Sequence, residues 1–158
     1  MILYHGTNIR FEEIDLNKSN TNKDFGKGFY LSDTRKQAEE MAAFKVDFFG
    51  GEILVNEYEV PDNILESCDL NVKVFKEYSK EWAEFIFKNR SNSSEVPCHD
   101  YDIVYGPIAN DRVGVQIRKF QNGHITFEEF LRNILYMKGI TFQYFFATEK
   151  AVSKLKRL

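Results

Sequence analysis

The hydrophobic pattern changes period several times along the chain, and each change marks an element. Ile2–Tyr4 and Phe29–Leu31 are short runs of β-formers bounded by glycine or polar residues, which predicts two strands. Ile9–Asn22 between them is polar and reads as a connector of the kind that often rims a site. After Ser32 or Asp33, either a good N-cap, Ala38, Met41, Ala42, Lys45, Phe48 and Phe49 recur near helical spacing, with Glu39, Glu40 and Asp47 outward. Gly50-Gly51 stops that helix. Glu52–Val60 predicts a strand with Leu54, Asn56, Tyr58 and Val60 on one face, ended by Pro61.

Asn71–Arg90 places Phe75, Tyr78, Trp82, Phe85 and Ile86 on one side, which predicts a single amphipathic helix packed into a core. Tyr101–Tyr105 is a further strand, closed by Gly106-Pro107, and Asp111-Arg112 opens a short helix. Arg112 reads equally as a phosphate or carboxylate contact and as a surface ion-pair residue. Thr126-Phe127-Glu128-Glu129 is a capping box, followed by Phe130, Leu131, Ile134 and Leu135 facing inward, with Gly139 as the stop. Ile140–Ala147 predicts the last long strand, and Thr148 caps a terminal helix whose basic end carries Lys150, Lys154, Lys156 and Arg157.

Strands at both ends of the chain with helices between them predict an α+β fold: antiparallel or mixed sheets, helices packed on them, and a cleft between. At 158 residues the chain reads as one domain over residues 1–158. A hydrophobic fraction of 43% and an aromatic fraction of 15% exclude a disordered chain. The formal charge of -3 supplies no global field for nucleic acid. Cys68 and Cys98 form no CxxC pair, which predicts a reducing, cytoplasmic setting. Cys98-His99-Asp100 resembles a fragment of a metal site, but no second Cys/His pair stands at zinc spacing, so no metal is expected. No stretch is apolar and long enough to cross a membrane, and no secretory start is present.

Three polar positions stand out against this pattern. His5 follows an apolar run, where Gly6 lets the backbone turn, and Tyr30 sits between Phe29 and Leu31 just after Gly26-Lys27-Gly28. Gln143 is an amide embedded in a strongly apolar strand, facing the same way as Thr141, Phe145 and Ala147, and it must be either satisfied internally or aimed into a cleft. Taken alone, His5 and Tyr30 read more readily as structural residues.

Together these residues resemble a known group. YHGT at residues 4–7, GKGFYLS at 26–32, YDIVYGPIANDRV at 101–113 and QYFFATEKAVSKL at 143–155 look like the ADP-ribosyltransferase superfamily, in its His-Tyr-[Glu/Asp/Gln] branch. Within it the chain is similar to small bacterial domains of the DUF3990 type. The resemblance implies a split-sheet architecture around an NAD cleft, with NAD as substrate and His5, Tyr30 and Gln143 as the motif residues. It implies that His5 contacts the adenosine ribose, that the main chain of Gly6 bonds the nicotinamide amide, and that Tyr30 stacks on its ring. Thr7 and Gly28 fall among the implied NAD-contacting positions, and Gln143 engages the nicotinamide ribose. The implied activity is transfer of ADP-ribose to a macromolecule, protein or nucleic acid, in a bacterial toxin or toxin–antitoxin setting with an antitoxin protein as partner. Many relatives carry Glu at the third position, whereas an amide supplies a dipole and no charge. An NAD-binding or NAD-sensing module with little catalysis, or an RNA- or phosphate-handling relative, therefore stands as the alternative.

Overall fold

The two short runs near the start of the chain enter different sheets. The computed structural model describes residues 1–135, 137 and 139–158. β1 (Ile2–Thr7) pairs antiparallel with β3 (Leu54–Glu59), and β3 pairs antiparallel with β7 (Lys156–Arg157). β2 (Phe29–Leu31) is the edge of a second, mixed sheet of order β2-β6-β5-β4, built with β6 (Phe142–Phe146), β5 (Ile103–Pro107) and β4 (Val72–Val74). In it β4 and β5 run parallel, while β2–β6 and β5–β6 pair antiparallel. The two sheets touch through a bridge between Tyr4 and Ser32, whose main chains exchange hydrogen bonds of 2.7 and 2.8 Å. Beyond that bridge β1 and β2 part.

Side-chain alternation in the mixed sheet sorts the aromatics into two cores. Phe145 and Val104 face the core completed by α2 (Lys80–Arg90), α3 (Asp111–Gln121) and α4 (Phe127–Leu135), with Trp82, Ile117 and Phe130 buried there. Tyr144, Phe146 and Ile103 face the other way, against Leu3 and Tyr58 of the three-stranded sheet. α1 (Arg35–Phe49) lies across β1 so closely that a Cβ on Gly6 would stand 1.9 Å from the Ala38 carbonyl oxygen.

Several sequence expectations change. Asn71–Arg90 is not one helix: Val72-Lys73-Val74 forms β4, because two β-branched residues find a partner strand in β5, and α2 begins only at Lys80. Phe75 and Tyr78 nonetheless reach the core, from the loop, and the Ser79 side chain caps α2 by accepting from the Trp82 N–H. The N-cap of α1 is Thr34, and Ser32 instead accepts from the Thr34 N–H at 3.0 Å. The strand predicted to stop before Gly6 runs through Thr7, so Gly6 serves close packing and not a turn. The short helix expected at Asp111 runs eleven residues, capped by Asn110, which accepts from the Val113 N–H. The terminal helix is brief, α5 (Glu149–Val152), and Lys156 and Arg157 lie in β7, so no helix end gathers them. Thr126 does accept from the Glu129 N–H at 3.1 Å, as its capping box predicts. The expected stop of α4 at Gly139 follows Tyr136 and Lys138, which lie outside the described residues.

Candidate functional site

Where β1 and β2 separate, they leave a cleft of about 330 Å³, roofed by α1 and floored by the start of β6. Its volume falls at the lower end of small-molecule sites. His5 and Gly6 line it from β1, Gly28 and Tyr30 from β2 and its approach, and Gln143 from β6. Five of the six expected positions thus meet around one space, from segments far apart in the chain. Thr7 does not line it: the side chain is buried and its hydroxyl closes a local turn with the main chain of Ile9 at 3.2 and 3.3 Å.

His5 is fixed on every side. Its Nδ1 lies 2.7 Å from the Tyr30 carbonyl oxygen, and its ring stacks on Phe29 at 4.1 Å and meets the edge of Phe11 at 5.8 Å. A carbonyl oxygen can only accept, so Nδ1 carries the proton and Nε2 keeps its lone pair. Burial, reinforced by the nearby ammonium of Lys45, pushes its pKa down to about 3, so the imidazole is neutral and Nε2 is an acceptor at any physiological pH.

Tyr30 is tied through its hydroxyl, which donates to the Gly26 carbonyl at 2.7 Å and accepts from the Phe25 N–H at 3.1 Å. Gly26 sits at φ +96°, in the left-handed region that favours glycine, so the phenol staples a turn only glycine makes easily. Burial raises the phenol's pKa well above its usual value, and it stays protonated. The ring leans on Phe145 at 4.9 Å, and the Lys23 ammonium sits 5.7 Å from its centroid. Gly28 leaves room for that arrangement, since a Cβ there would lie 2.3 Å from the Phe145 ring.

Gln143 stands opposite Gly106 in the β5–β6 register. Its Nε2 is buried and finds no hydrogen-bond partner among the described residues. A buried N–H without an acceptor costs free energy, so the fold holds this amide at the edge of the cleft at a cost.

Two cationic residues of the cleft were not expected there. Lys45 lines it from α1 and donates to the Gly6 carbonyl at 2.7 Å, and Lys23 lines it from the loop before β2. The signal for Lys45 was in the sequence, as a lysine among the apolar positions of α1. For Lys23 none was, because its place depends on the path of a polar loop. Asp24 also lines the cleft, but its carboxylate is held by Arg90 Nε at 2.5 Å.

Other singled-out residues lie elsewhere. Arg112 is exposed on α3 and does not line the cleft. His99 accepts from the Tyr101 N–H at Nδ1 and donates from Nε2 to the Phe25 carbonyl at 2.7 Å, and Cys98 donates its thiol proton to Asn89 Oδ1 at 3.1 Å. Both ring nitrogens of His99 are therefore spent on main-chain partners, one in its own segment and one beside the Gly26 turn. Among the described residues no group of three or more His, Cys, Asp or Glu stands placed to hold a metal ion, and no helix is long and apolar enough to cross a membrane. Of the basic tail, Lys154 pairs with Asp69 at 3.0 Å, and Arg157 donates to the carbonyls of Phe11 and Glu12.

The sequence pattern of a family described as "Protein of unknown function (DUF3990)" matches residues 1–157. No curated protein matches the chain.

Proposed function

Since the chain belongs to the DUF3990 family, whose description assigns no activity, the cleft must carry the functional reading, and we propose that it binds NAD as substrate and transfers ADP-ribose to a macromolecule. The observation behind this reading is the convergence of His5, Gly6, Gly28, Tyr30 and Gln143 on one cleft at the parting of two sheets. The chemistry of these groups suits a dinucleotide. The Nε2 lone pair of His5 can accept from a ribose hydroxyl, the Tyr30 ring offers an aromatic face to the nicotinamide, and the carbonyl end of the Gln143 amide can accept from a hydroxyl of the nicotinamide ribose. A cation already rests over the Tyr30 ring, and a positively charged nicotinamide would replace Lys23 on the same quadrupole.

Breaking the nicotinamide–ribose bond develops positive charge on the ribose. Preorganised dipoles aimed at such a centre are commonly worth ~10²–10³ in rate. In this cleft that part falls to the negative, carbonyl end of the Gln143 amide, with His5 fixing the adenosine end. A single incubation tests the reading: NAD is supplied and released nicotinamide and labelled macromolecule are measured, with and without chelator. The expected result is release that survives the chelator, with label entering protein or nucleic acid. Gln143→Ala should lower it ~100-fold with folding intact, and Gln143→Glu should keep or raise it, because a carboxylate adds full negative charge beside the developing cation. Normal turnover of Gln143→Ala with a lowered melting temperature would remove Gln143 from the chemistry.

A second reading, NAD binding with little catalysis, is favoured by one feature. The only carboxylate lining the cleft among the described residues is Asp24, and Arg90 holds it. NAD bound without nicotinamide release would select that reading.

A further inference from the structure

We propose that Lys23 and Lys45 form an anion subsite on the wall of the cleft, built to hold the linked phosphates of a dinucleotide. The inference rests on the NAD reading above and adds the part of the ligand which His5, Tyr30 and Gln143 leave without a partner. Two ammonium groups border one small space, one from α1 and one from the loop before β2. In a chain with 24 acidic and 21 basic side chains, that local excess runs against the global balance.

The charges around them leave the excess uncompensated. Asp24 is the acidic group on the lining, and its ion pair with Arg90 spends it. His5, which faces both lysines from β1, is neutral. Neither Lys23 nor Lys45 has a carboxylate within ion-pair distance among the described residues; their contacts are the Tyr30 ring and the Gly6 carbonyl. Burial first, then the positive charge of Lys23, brings the Lys45 pKa down to about 8, as a half-buried ammonium lacking a counterion requires. A bound diphosphate would be that counterion. Surface lysines ordinarily meet carboxylates or water, and here Lys36 and Lys80 do so with Glu40 and Glu84 one helical turn away. Lys45, on the same helix as Lys36, turns inward instead.

The test uses Lys23→Gln and Lys45→Gln, which keep an N–H donor, so the Gly6 carbonyl can retain its partner while the charge is lost. Calorimetry at pH 7 follows NAD, nicotinamide riboside, which lacks the linked phosphates, and inorganic pyrophosphate. Each substitution should weaken NAD and pyrophosphate about tenfold, the scale of one charge-assisted hydrogen bond, and leave nicotinamide riboside unchanged. Added salt should weaken NAD binding to the wild type more than to either variant. The subsite falls if NAD affinity is unchanged in both variants, or if the riboside weakens in parallel with NAD. Lysine-dependent pyrophosphate binding without affinity for NAD or the riboside would support the subsite and overturn the transferase reading.

Discussion

His5 and Tyr30 share one hydrogen bond and two different obligations. Because His5 is held neutral, its contribution depends on pH in a definite direction. The unfolded chain takes up a proton near pH 6.5 and the folded chain only near 3, so stability is intact above pH 6.5 and drains as pH falls through that window, by up to about 1.4 kcal/mol per unit. His5→Asn supplies an amide N–H for the Tyr30 carbonyl without the titration. Denaturant unfolding at pH 7 and pH 4.5 should show the wild type losing up to ~2 kcal/mol more than this variant. Equal losses would place the imidazole's titration elsewhere. At Tyr30 the hydroxyl and the ring separate by experiment. Tyr30→Phe strips the Gly26 turn of its staple and should cost ~1–3 kcal/mol of stability while sparing NAD affinity. Tyr30→Ala also removes the stacking face, worth ~1–3 kcal/mol per base where aromatics meet nucleotides. Calorimetry beside thermal melts distinguishes the two.

Among the elements, local pattern carried most of the prediction, and the strands it missed share one cause. α1, β2, β3, β5 and β6 follow from periodicity and punctuation, because each is specified by its own residues. β4 and β7 were missed since each is only two or three residues long and exists through a remote partner: Val72 pairs Ile103, and Arg157 pairs Tyr58. A helical stripe through Phe75, Tyr78 and Trp82 fitted the same residues equally well, as these side chains are buried in either arrangement. The site divides in a similar way. His5, Gly6, Gly28, Tyr30 and Gln143 were legible by resemblance, whereas Lys23 needed the fold. Thr7 shows the limit, since one step along a strand turns a side chain to the other face. Gly6 yields an element-scale prediction. Gly6→Ala must lift α1 off β1 and should destabilise by ~1–3 kcal/mol or more. Gly114→Ala in α3 meets nothing nearer than 3.6 Å and should stabilise by ~0.5–1 kcal/mol. Paired melting curves check both signs.

Across the whole molecule, the last strand is linked to the cleft. The Arg157 guanidinium covers Phe11 at 5.5 Å and holds the carbonyls of Phe11 and Glu12, while Phe11 packs on His5. Arg157→Ala should therefore release the Phe11 loop, admit water to the imidazole and raise the His5 pKa toward 6.5. A histidine titration followed by NMR would show it, and an unmoved His5 resonance would confine Arg157 to the three-stranded sheet.

The Tyr4–Ser32 bridge between the sheets has a mechanical meaning of its own. Tyr4 and Ser32 work as a hinge pin: on one side lie two leaves of sheet, and α1 is fastened to both, through Ser32 at its start and Gly6 in its middle. A ligand wedged between the leaves must load that pin, so amide exchange at Tyr4 and Ser32 becomes a gauge of how far the jaws stand open.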